Sequence, residues 1–318
     1  MITLAVIVLI PIIGIAIHQI KLFSTIDTPS KDFGTGVMFD SIASRYDFIN
    51  RVLAMNMDIS WRTTMVQVIK ERVPSDNAKL LDVATGTADV ALQLIKSIPT
   101  ATIIGVDPSN GMLDIGREKI ASKGLQNQII LQYADARDLS SIGFNNDDDN
   151  NDNDNNEDSS TPSTSNENIF DGGTMAFGIR NVPEPREVAL CQIHHLIKSG
   201  GIFCILEFSE PNVEEFGVLG YVARFFIRHV VPIIGGMLSG SPKEYLHLQN
   251  SIKDFPSPKQ FASMMENLSC TQSTTVGNDE ETTQATTSSS GRNYFRVDDI
   301  VQMNFGSVQL YVTTVMKE

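Results

Sequence analysis

Four residues around one short turn have the types and spacing of a nucleotide site. The apolar segment at residues 80–83 contains Asp82 and runs into a turn with Gly86 and Thr87, and the next apolar segment ends at Asp107. Glycine lets a backbone approach a ligand closely, and a carboxylate at the end of the following strand can accept both hydroxyls of a ribose. The turn lacks the G-x-G-x-x-G order of dinucleotide sites, so it favours an adenosyl ligand without phosphates, of which S-adenosylmethionine is the common one. The alternative is an ordinary strand-to-helix turn that binds nothing.

A third segment adds to this pattern. Residues 128–134 have the composition of a strand, and Asp135 and Ala136 follow it. An acidic side chain there can accept a hydrogen bond from the amino group of adenine, and the small Ala136 leaves space for the ring. We therefore expect Asp135 and Ala136 to complete the adenosyl site.

A parallel sheet is needed to bring these residues together, and the remaining sequence predicts one. Strand-like segments alternate with segments of helical periodicity, which is typical of an α/β fold with helices on both faces of a mostly parallel sheet. Two helices come first, over residues 39–51 and 59–72. Strands are predicted over residues 79–83, 102–106, 128–133, 169–177, 201–208 and, as a late edge strand, 307–315; helices are predicted over 90–97, 112–123 and 185–197.

The charge of the chain is concentrated in one place. The 318 residues carry a net charge of −14, and the segment 145–168 contains eight acidic residues and no Lys or Arg, so the rest carries −6. No basic stripe is present, which argues against a nucleic-acid surface. Segments 145–168 and 271–291 are of low complexity and are predicted to be disordered insertions.

The cysteines and the first residues bear on the cellular compartment. The three cysteines have no metal-ligand spacing, and Cys204 lies in an apolar strand, so we expect a core thiol, no metal site and a reducing compartment.

Residues 1–17 are almost wholly apolar, with no charge before Lys21. Residues 1–23 are therefore interpreted as a membrane anchor or a leader, with an imperfect gene start as the alternative.

Several longer segments match a known family. These are FDSIASRYD at residues 39–47, LDVATGT at 81–87, FGIRN at 177–181 and ILEFS at 205–209, followed by shorter matches up to residue 256. With them the chain resembles the UbiE/MenG-type quinone C-methyltransferases over residues 38–268 and the last strand. The resemblance implies a class I S-adenosylmethionine-dependent methyltransferase, Rossmann-like, with an N-terminal helical lid and a single domain over residues 38–318.

The resemblance also assigns site residues. It implies cofactor contacts at Thr87, Asp107, Asp135 and Ala136, and a further one at Ala176, where several relatives have a serine. A second departure is Ala88, where relatives usually have glycine; a positive φ there would cost about 1 kcal/mol.

Catalysis is assigned by the same resemblance to Arg180 beside Asn181. Because a guanidinium is a poor base, we assign Arg180 to stabilising a phenolate or to holding a water that takes the proton. The alternative is a structural ion pair. Glu207 either orients Arg180 or caps a neighbouring turn, and residues 217–238 form either a core helix or an apolar wall for a polyprenyl tail.

The expected reaction is C-methylation of a prenylated benzoquinol or naphthoquinol with S-adenosylmethionine. The resemblance further implies a membrane surface, a quinone-biosynthesis complex and a homodimer as partners, with location on the matrix side of the mitochondrial inner membrane, or on a plastid membrane. Two alternatives stay open: methylation of an oxygen or of another lipid such as a sterol, and a catalytically silent cofactor-binding scaffold.

Overall fold

The fold is taken from a computed structural model that describes residues 36–74, 76–143, 168–240, 242–270 and 294–317. The predicted leader at residues 1–23 lies outside the described residues. The same holds for the two predicted insertions, except for Asn168.

A seven-stranded sheet in the order β3-β2-β1-β4-β5-β7-β6 forms the centre of the molecule. Strands β1 to β5 run parallel, whereas β7 is antiparallel to both β5 and β6. The strand order reverses between β1 and β4, and ligands of open α/β sheets bind at the carboxyl ends of the strands beside such a reversal. The strands are β1 Lys79–Val83, β2 Thr102–Asp107, β3 Ile129–Tyr133, β4 Phe170–Ala176, β5 Ile197–Phe208, β6 Tyr294–Met303 and β7 Val308–Met316.

Helices cover the sheet and confirm the predicted α/β class. Buried aliphatic side chains form one apolar core on each face of the sheet. The helices are α1 Gly36–Leu53, α2 Met57–Arg72, α3 Asp89–Ser97, α4 Asn110–Ala121, α5 Glu187–Leu196, α6 Val213–Phe225, α7 Val231–Ser239, α8 Pro242–Asp254 and α9 Pro258–Glu266, with a 3₁₀ turn at Ile179–Asn181 and a π turn at Phe226–Val230.

The last two strands correct the sequence prediction. β7 was predicted as the edge strand, but it lies between β5 and β6, and almost all its residues are buried. The edge is β6, which the prediction missed because Arg296, Asp298 and Asp299 interrupt its alternation. β5 also begins earlier than predicted, at Ile197, because the strand continues through Gly200 and Gly201, which the sequence predicted as a turn. The pairing of β4 with β5 shifts register at this point.

The cysteines give a second correction. Cys191 of α5 and Cys270, which follows α9, form a disulfide, so the cysteines are not all unpaired as the prediction of a reducing compartment assumed. Spacing along the chain did not indicate this pair because 79 residues separate the two. Cys204 is a fully buried free thiol, as predicted.

Candidate functional site

The turn after β1 is held by the acid that precedes it. Asp82 is buried, and its carboxylate accepts hydrogen bonds from the hydroxyls of Thr85 and Thr174, each at 2.7 Å. Burial raises the pKa of Asp82 to about 6, although these two hydrogen bonds act to lower it. Asp82 lines neither of the two cavities described below. It fixes the end of β1 and the turn that leads to Gly86.

Gly86 presents its backbone to a cavity at the carboxyl edge of the sheet. Its φ is +55°, and a Cβ built on it would meet no atom within 4 Å, so the space beside it is open. Gly178 lines the same cavity, and a Cβ built on it would lie 2.5 Å from Cβ of Ala84, so only glycine fits there. The turn thus leaves a gap into which a ligand can approach the backbone.

Asp107 lies at the end of β2 and faces the same cavity. Its Oδ2 accepts from the Gly86 amide and its Oδ1 from the Ser109 amide, each at 2.9 Å. Burial raises its pKa to about 6, although both amides act to lower it. With these two bonds orienting it, the carboxylate keeps further lone pairs for the hydroxyls of a ribose.

The other predicted cofactor residues divide into two groups. Asp135, Ala136 and Ala176 line this cavity together with Gly86 and Asp107. The Asp135 carboxylate is held by the guanidinium of Arg137, at 2.7 Å from Nη2. These residues therefore meet at one edge of the sheet, as their positions after successive strands predicted.

Thr87 stands apart from this group. It is buried, it does not line the cavity, and its hydroxyl donates to Oδ1 of Asp47 on α1 at 2.7 Å. Lys119 of α4 joins the pair, with Nζ 2.9 Å from the Thr87 hydroxyl and 2.5 Å from Asp47. Thr87 thus connects the turn to the first helix rather than pointing into the cavity.

Helix α1 covers the cavity as the predicted lid. Besides the Asp47 contacts, Asp40 accepts from the Ser109 hydroxyl at 2.6 Å and from the Gly111 amide at 2.8 Å. Phe39 and Tyr46 of α1 line the cavity from above. Ala88, the residue after Thr87, has a φ of +65°. This is the positive φ whose cost for an alanine was considered in the sequence analysis.

A second, larger cavity of about 350 Å³ lies against the first. Phe39, Tyr46, Phe177 and Asn181 line both, so the two are neighbours across these side chains. Most of the larger wall is apolar. Its apolar lining includes Met38, Ile42, Leu53, Met55, Trp61, Phe208, Leu219, Val222, Ala223, Phe226, Ile227, Val231, Leu248, Ile252 and Phe305.

Arg180 forms a buried ion pair at the floor of the larger cavity. Its side chain is 5% exposed and that of its partner Glu207 is fully buried. The Arg180 Nε donates to the Ser251 hydroxyl at 2.8 Å, and its guanidinium lies 5.6 Å from the centre of the Phe208 ring. Arg180 is therefore both a structural ion-pair residue and a cavity residue.

Asn181 contacts a residue that the sequence did not single out. Its Oδ1 lies 3.3 Å from Nε2 of His247, a buried residue of α8 that also lines the larger cavity. Burial and then the charge of Arg180 lower the pKa of His247 to about 4. Glu244 lines the cavity one turn earlier in α8. A histidine without a motif carries no signal in the sequence, so only the packing of α8 reveals it.

This arrangement suits transfer of a small group from an adenosyl ligand to an apolar acceptor. Asp107 and the Gly86 turn fit a ribose, and the adjoining apolar cavity contains a fixed cation, an amide and an imidazole. Among the described residues no group of three metal-ligating side chains occurs. Asp82, Thr87 and Glu207 support these walls without facing the smaller cavity.

Comparison with known proteins agrees with this geometry. A family model described as the ubiE/COQ5 methyltransferase family matches residues 28–152 and 158–277. The ubiquinone/menaquinone biosynthesis C-methyltransferase UbiE of Geotalea daltonii is 38% identical over 229 residues, 72% of this chain and 84% of that protein. The demethylmenaquinone methyltransferase of Thermus thermophilus is 33% identical over 228 residues, 72% of this chain and 89% of that protein. The chain therefore belongs to the ubiE/COQ5 methyltransferase family and is a methyltransferase that uses S-adenosylmethionine.

Proposed function

We propose that this methyltransferase adds a methyl group to a ring carbon of a prenylated quinol. The observation that carries the proposal is the pairing of two cavities: an adenosyl-type site at Gly86 and Asp107, and a mostly apolar cavity of about 350 Å³ with Arg180 and Asn181 in its wall. A polyprenylated ring needs such a cavity, because its polar part is a small head group and the rest is hydrocarbon. The names of the similar proteins, which concern ubiquinone and menaquinone, support this substrate class.

For this reaction the protein has to align the ring carbon with the methyl group and stabilise the negative charge of the phenolate. When bound, S-adenosylmethionine supplies an electrophilic methyl group on a positively charged sulfur. Asp107 would hold its ribose, and Asp135 with Ala136 would receive the adenine. Arg180 would stabilise the phenolate that forms as the quinol loses a proton, while the apolar walls exclude water.

The direct test is methyl transfer by the purified full chain. Radiolabelled S-adenosylmethionine is supplied with a demethylated benzoquinol, a demethylated naphthoquinol or a sterol, and the products are identified by mass spectrometry. We expect label on a ring carbon of a quinol and none on the sterol. Label on the sterol or on oxygen contradicts the proposal, and cofactor binding without turnover on any quinol would establish the scaffold alternative.

We also propose that the outer face of the larger cavity binds a membrane surface. The described residues contain one helical run, Val213–Ser239, that is long and apolar enough to cross a bilayer. Leu219 and Val222 of this run line the cavity and are nevertheless 54% and 59% exposed. Val218, Tyr221 and Phe225 are 77%, 62% and 62% exposed. Because one face lines the cavity, we propose that the run lies on the bilayer, with its exposed face in the lipid, rather than crossing it.

Vesicle flotation of the full chain tests this surface. Val218→Glu and Phe225→Glu are expected to reduce binding to phosphatidylcholine vesicles, because each places a charge in the apolar interface. Val188→Glu is the matched control, since Val188 is an exposed apolar residue of α5 outside both cavities. Equal flotation of all three variants would contradict the proposal and leave membrane binding to another part of the chain.

We also propose a location on the matrix side of the mitochondrial inner membrane, with a plastid membrane as the alternative, because a prenylated quinol resides in such bilayers. Immunoblotting of purified organelle membranes tests it. The homodimer and the quinone-synthesis complex stay predictions, and mass measurement of the detergent-extracted protein checks both.

A further inference from the structure

We propose that the hydroxyl oxygen of Tyr46 accepts C–H···O contacts from the methyl group of S-adenosylmethionine and so aims that group at the larger cavity, with Asn50 as the residue that positions this hydroxyl. The inference rests on the proposed function only in taking the larger cavity as the site of the methyl acceptor. It begins from the place of Tyr46, which lines both cavities.

Four side chains line both cavities and so form the boundary between them: Phe39, Tyr46, Phe177 and Asn181. The methyl group has to cross this boundary, because the adenosyl site lies on one side and the proposed acceptor site on the other. Of the four, only Tyr46 and Asn181 have polar side chains. Both ends of the Asn181 amide contact the wall around it, with Nδ2 directed at the Phe177 carbonyl and Oδ1 lying 3.3 Å from Nε2 of His247. The Tyr46 hydroxyl is therefore the polar group that we assign to the moving methyl.

Helix α1 fixes Tyr46 above the cofactor turn. Asp47, the next residue, accepts from the Thr87 hydroxyl at 2.7 Å, and its carboxylate lies 2.5 Å from Nζ of Lys119. The Tyr46 ring also packs edge-on against Phe39, with the ring centres 6.0 Å apart. The backbone and the ring of Tyr46 are thus both held in place before a ligand binds.

The charges that act on the hydroxyl come from both cavities. Burial raises the pKa of Tyr46, so the hydroxyl stays neutral at pH 7. The charges of Arg62 and Arg180 act to lower this pKa, whereas the charge of Asp107 acts to raise it. Arg180 belongs to the wall of the larger cavity and Asp107 to that of the smaller one. An oxygen influenced by both groups lies where the two cavities meet.

Asn50 lies one turn after Tyr46 in α1 and binds its hydroxyl. This side-chain hydrogen bond lowers the pKa of Tyr46, as expected of an amide N–H that donates to the oxygen. Asn50 also lines the larger cavity. Because a hydroxyl oxygen can accept more than one hydrogen bond, the bond from Asn50 orients the oxygen and leaves it able to accept from the methyl group.

A methyl group on a cationic sulfur has polarised C–H bonds, which makes it a C–H donor to a nearby oxygen. Such a contact restricts the methyl to the line between sulfur and the ring carbon, and this alignment is what in-line transfer requires. Tyr46 exchanges no proton in the step. A carbon–carbon bond forms on the ring, the carbon–sulfur bond breaks with its electron pair staying on sulfur, and the ring proton goes to solvent.

The first experiment observes the methyl group itself and needs no turnover. S-adenosylmethionine labelled with carbon-13 at its methyl group is bound to the full chain, and the methyl proton resonance is recorded by NMR. We expect the resonance to lie downfield in wild type relative to Tyr46→Phe, because the contact deshields the protons and the substitution keeps the ring. Tyr133→Phe is the matched control and should give the wild-type resonance, since Tyr133 is 59% exposed and lies outside both cavities.

A second variant tests the role of Asn50. Asn50→Ala keeps the hydroxyl but removes its partner, so the methyl resonance should lie between those of wild type and Tyr46→Phe. A wild-type resonance in Tyr46→Phe would overturn the proposal, and a wild-type resonance in Asn50→Ala would overturn the positioning by Asn50. Should Tyr46→Phe not fold, Asn50→Ala decides both points. A purely structural Tyr46 would show a lowered Tm with the methyl resonance unchanged.

The last experiment compares S-adenosylmethionine with S-adenosylhomocysteine, which lacks the methyl group. By calorimetry, Tyr46→Phe should weaken binding of the first by about 2–5-fold, the scale of a C–H···O contact, and leave binding of the second unchanged. Equal weakening for the two ligands would overturn the proposal. A wild-type protein that methylates no quinol would instead defeat the proposed function, because neither the resonance nor this comparison depends on the acceptor.

Discussion

Glu207 holds Arg180 by both its backbone and its side chain. Oε2 of Glu207 accepts from the Arg180 amide at 3.1 Å, and Oε1 accepts from its guanidinium. The same carboxylate also accepts from the Phe208 amide at 2.7 Å. The two roles that the sequence left open for Glu207, orienting Arg180 and capping a turn, are therefore performed by one side chain. The pair fixes a cation at the cavity floor before any ligand arrives.

Removing one partner of this pair should be costly. Glu207→Ala leaves the Arg180 charge buried without its counterion, so we expect a loss of about 3–5 kcal/mol in the free energy of unfolding, measured by urea denaturation. Asp114→Ala is the control, because its ion pair with Arg117 is exposed and should contribute about 0–1 kcal/mol. Equal losses in the two variants would contradict the buried pair.

Arg180 should matter for turnover more than for cofactor affinity. Arg180→Lys keeps the charge but loses the planar fork that binds Glu207 and Ser251 together. We expect turnover to fall by about 10²-fold, the scale of one lost oxyanion donor, with S-adenosylmethionine affinity near wild type by calorimetry. A higher pH should partly restore the rate. A purely structural Arg180 would show a lowered Tm and no recovery with pH.

The pKa of Asp107 predicts how cofactor binding depends on pH. Ribose hydroxyls donate to the ionised carboxylate, so affinity should fall as the pH drops through about 6, where Asp107 takes up a proton. Asp107→Asn should bind the cofactor more weakly, by about 1.5–3 kcal/mol, and should lose this dependence. Asp82 titrates in the same range but remains in the variant, which isolates Asp107. Identical pH profiles for the two proteins would remove the ribose assignment.

The raised pKa values of Asp82 and Asp107 should make the folded chain more stable at lower pH, although they weaken cofactor binding there. Asp82 and Asp107 bind protons more tightly in the folded chain than in the unfolded chain. Their contribution to the free energy of unfolding should therefore rise as the pH falls from about 6 toward about 4. Asp107→Asn should flatten this part of the profile in urea titrations. A wild-type contribution that decreases over this interval would contradict the raised pKa values.

The disulfide between Cys191 and Cys270 should stabilise the fold by closing a long loop. The two residues are 79 positions apart, and cross-links of this kind contribute about 2–4 kcal/mol. We expect reductant to lower the urea midpoint of the wild type, whereas Cys191→Ser should be insensitive to reductant. Cys204→Ser should respond to reductant as the wild type does, because Cys204 is not in the bond. An unchanged midpoint on reduction would show that the bond does not constrain the chain in solution.

The parallel part of the fold could be read from the sequence, because its signals are local. β1 has the predicted bounds, and the helices between the strands differ from prediction by a few residues at their ends. Apolar runs separated by amphipathic helices leave few other arrangements. The end of the sheet could not be read in this way. β6 carries charges along its open edge, and the position of β7 depends on pairing with β5, which is distant in sequence.

The adenosyl site was predictable for a related reason. Residues that follow successive parallel strands must meet at one edge, and Gly86, Asp107, Asp135, Ala136 and Ala176 do so. Thr87 was close in sequence but turns toward Asp47 instead. A turn motif specifies the path of the backbone, whereas the direction of each side chain depends on what packs above it.

The sequence by itself determined the class of fold, the edge where ligands bind and, through its motifs, the family. The tertiary structure alone decided that Glu207 fixes Arg180, that His247 of α8 reaches Asn181, and that Cys191 lies against Cys270. The physical reason is that periodicity and turn chemistry act over a few residues, whereas these contacts join segments that are 27, 66 and 79 positions apart. Such contacts depend on how whole elements pack, and that information is distributed over the entire core.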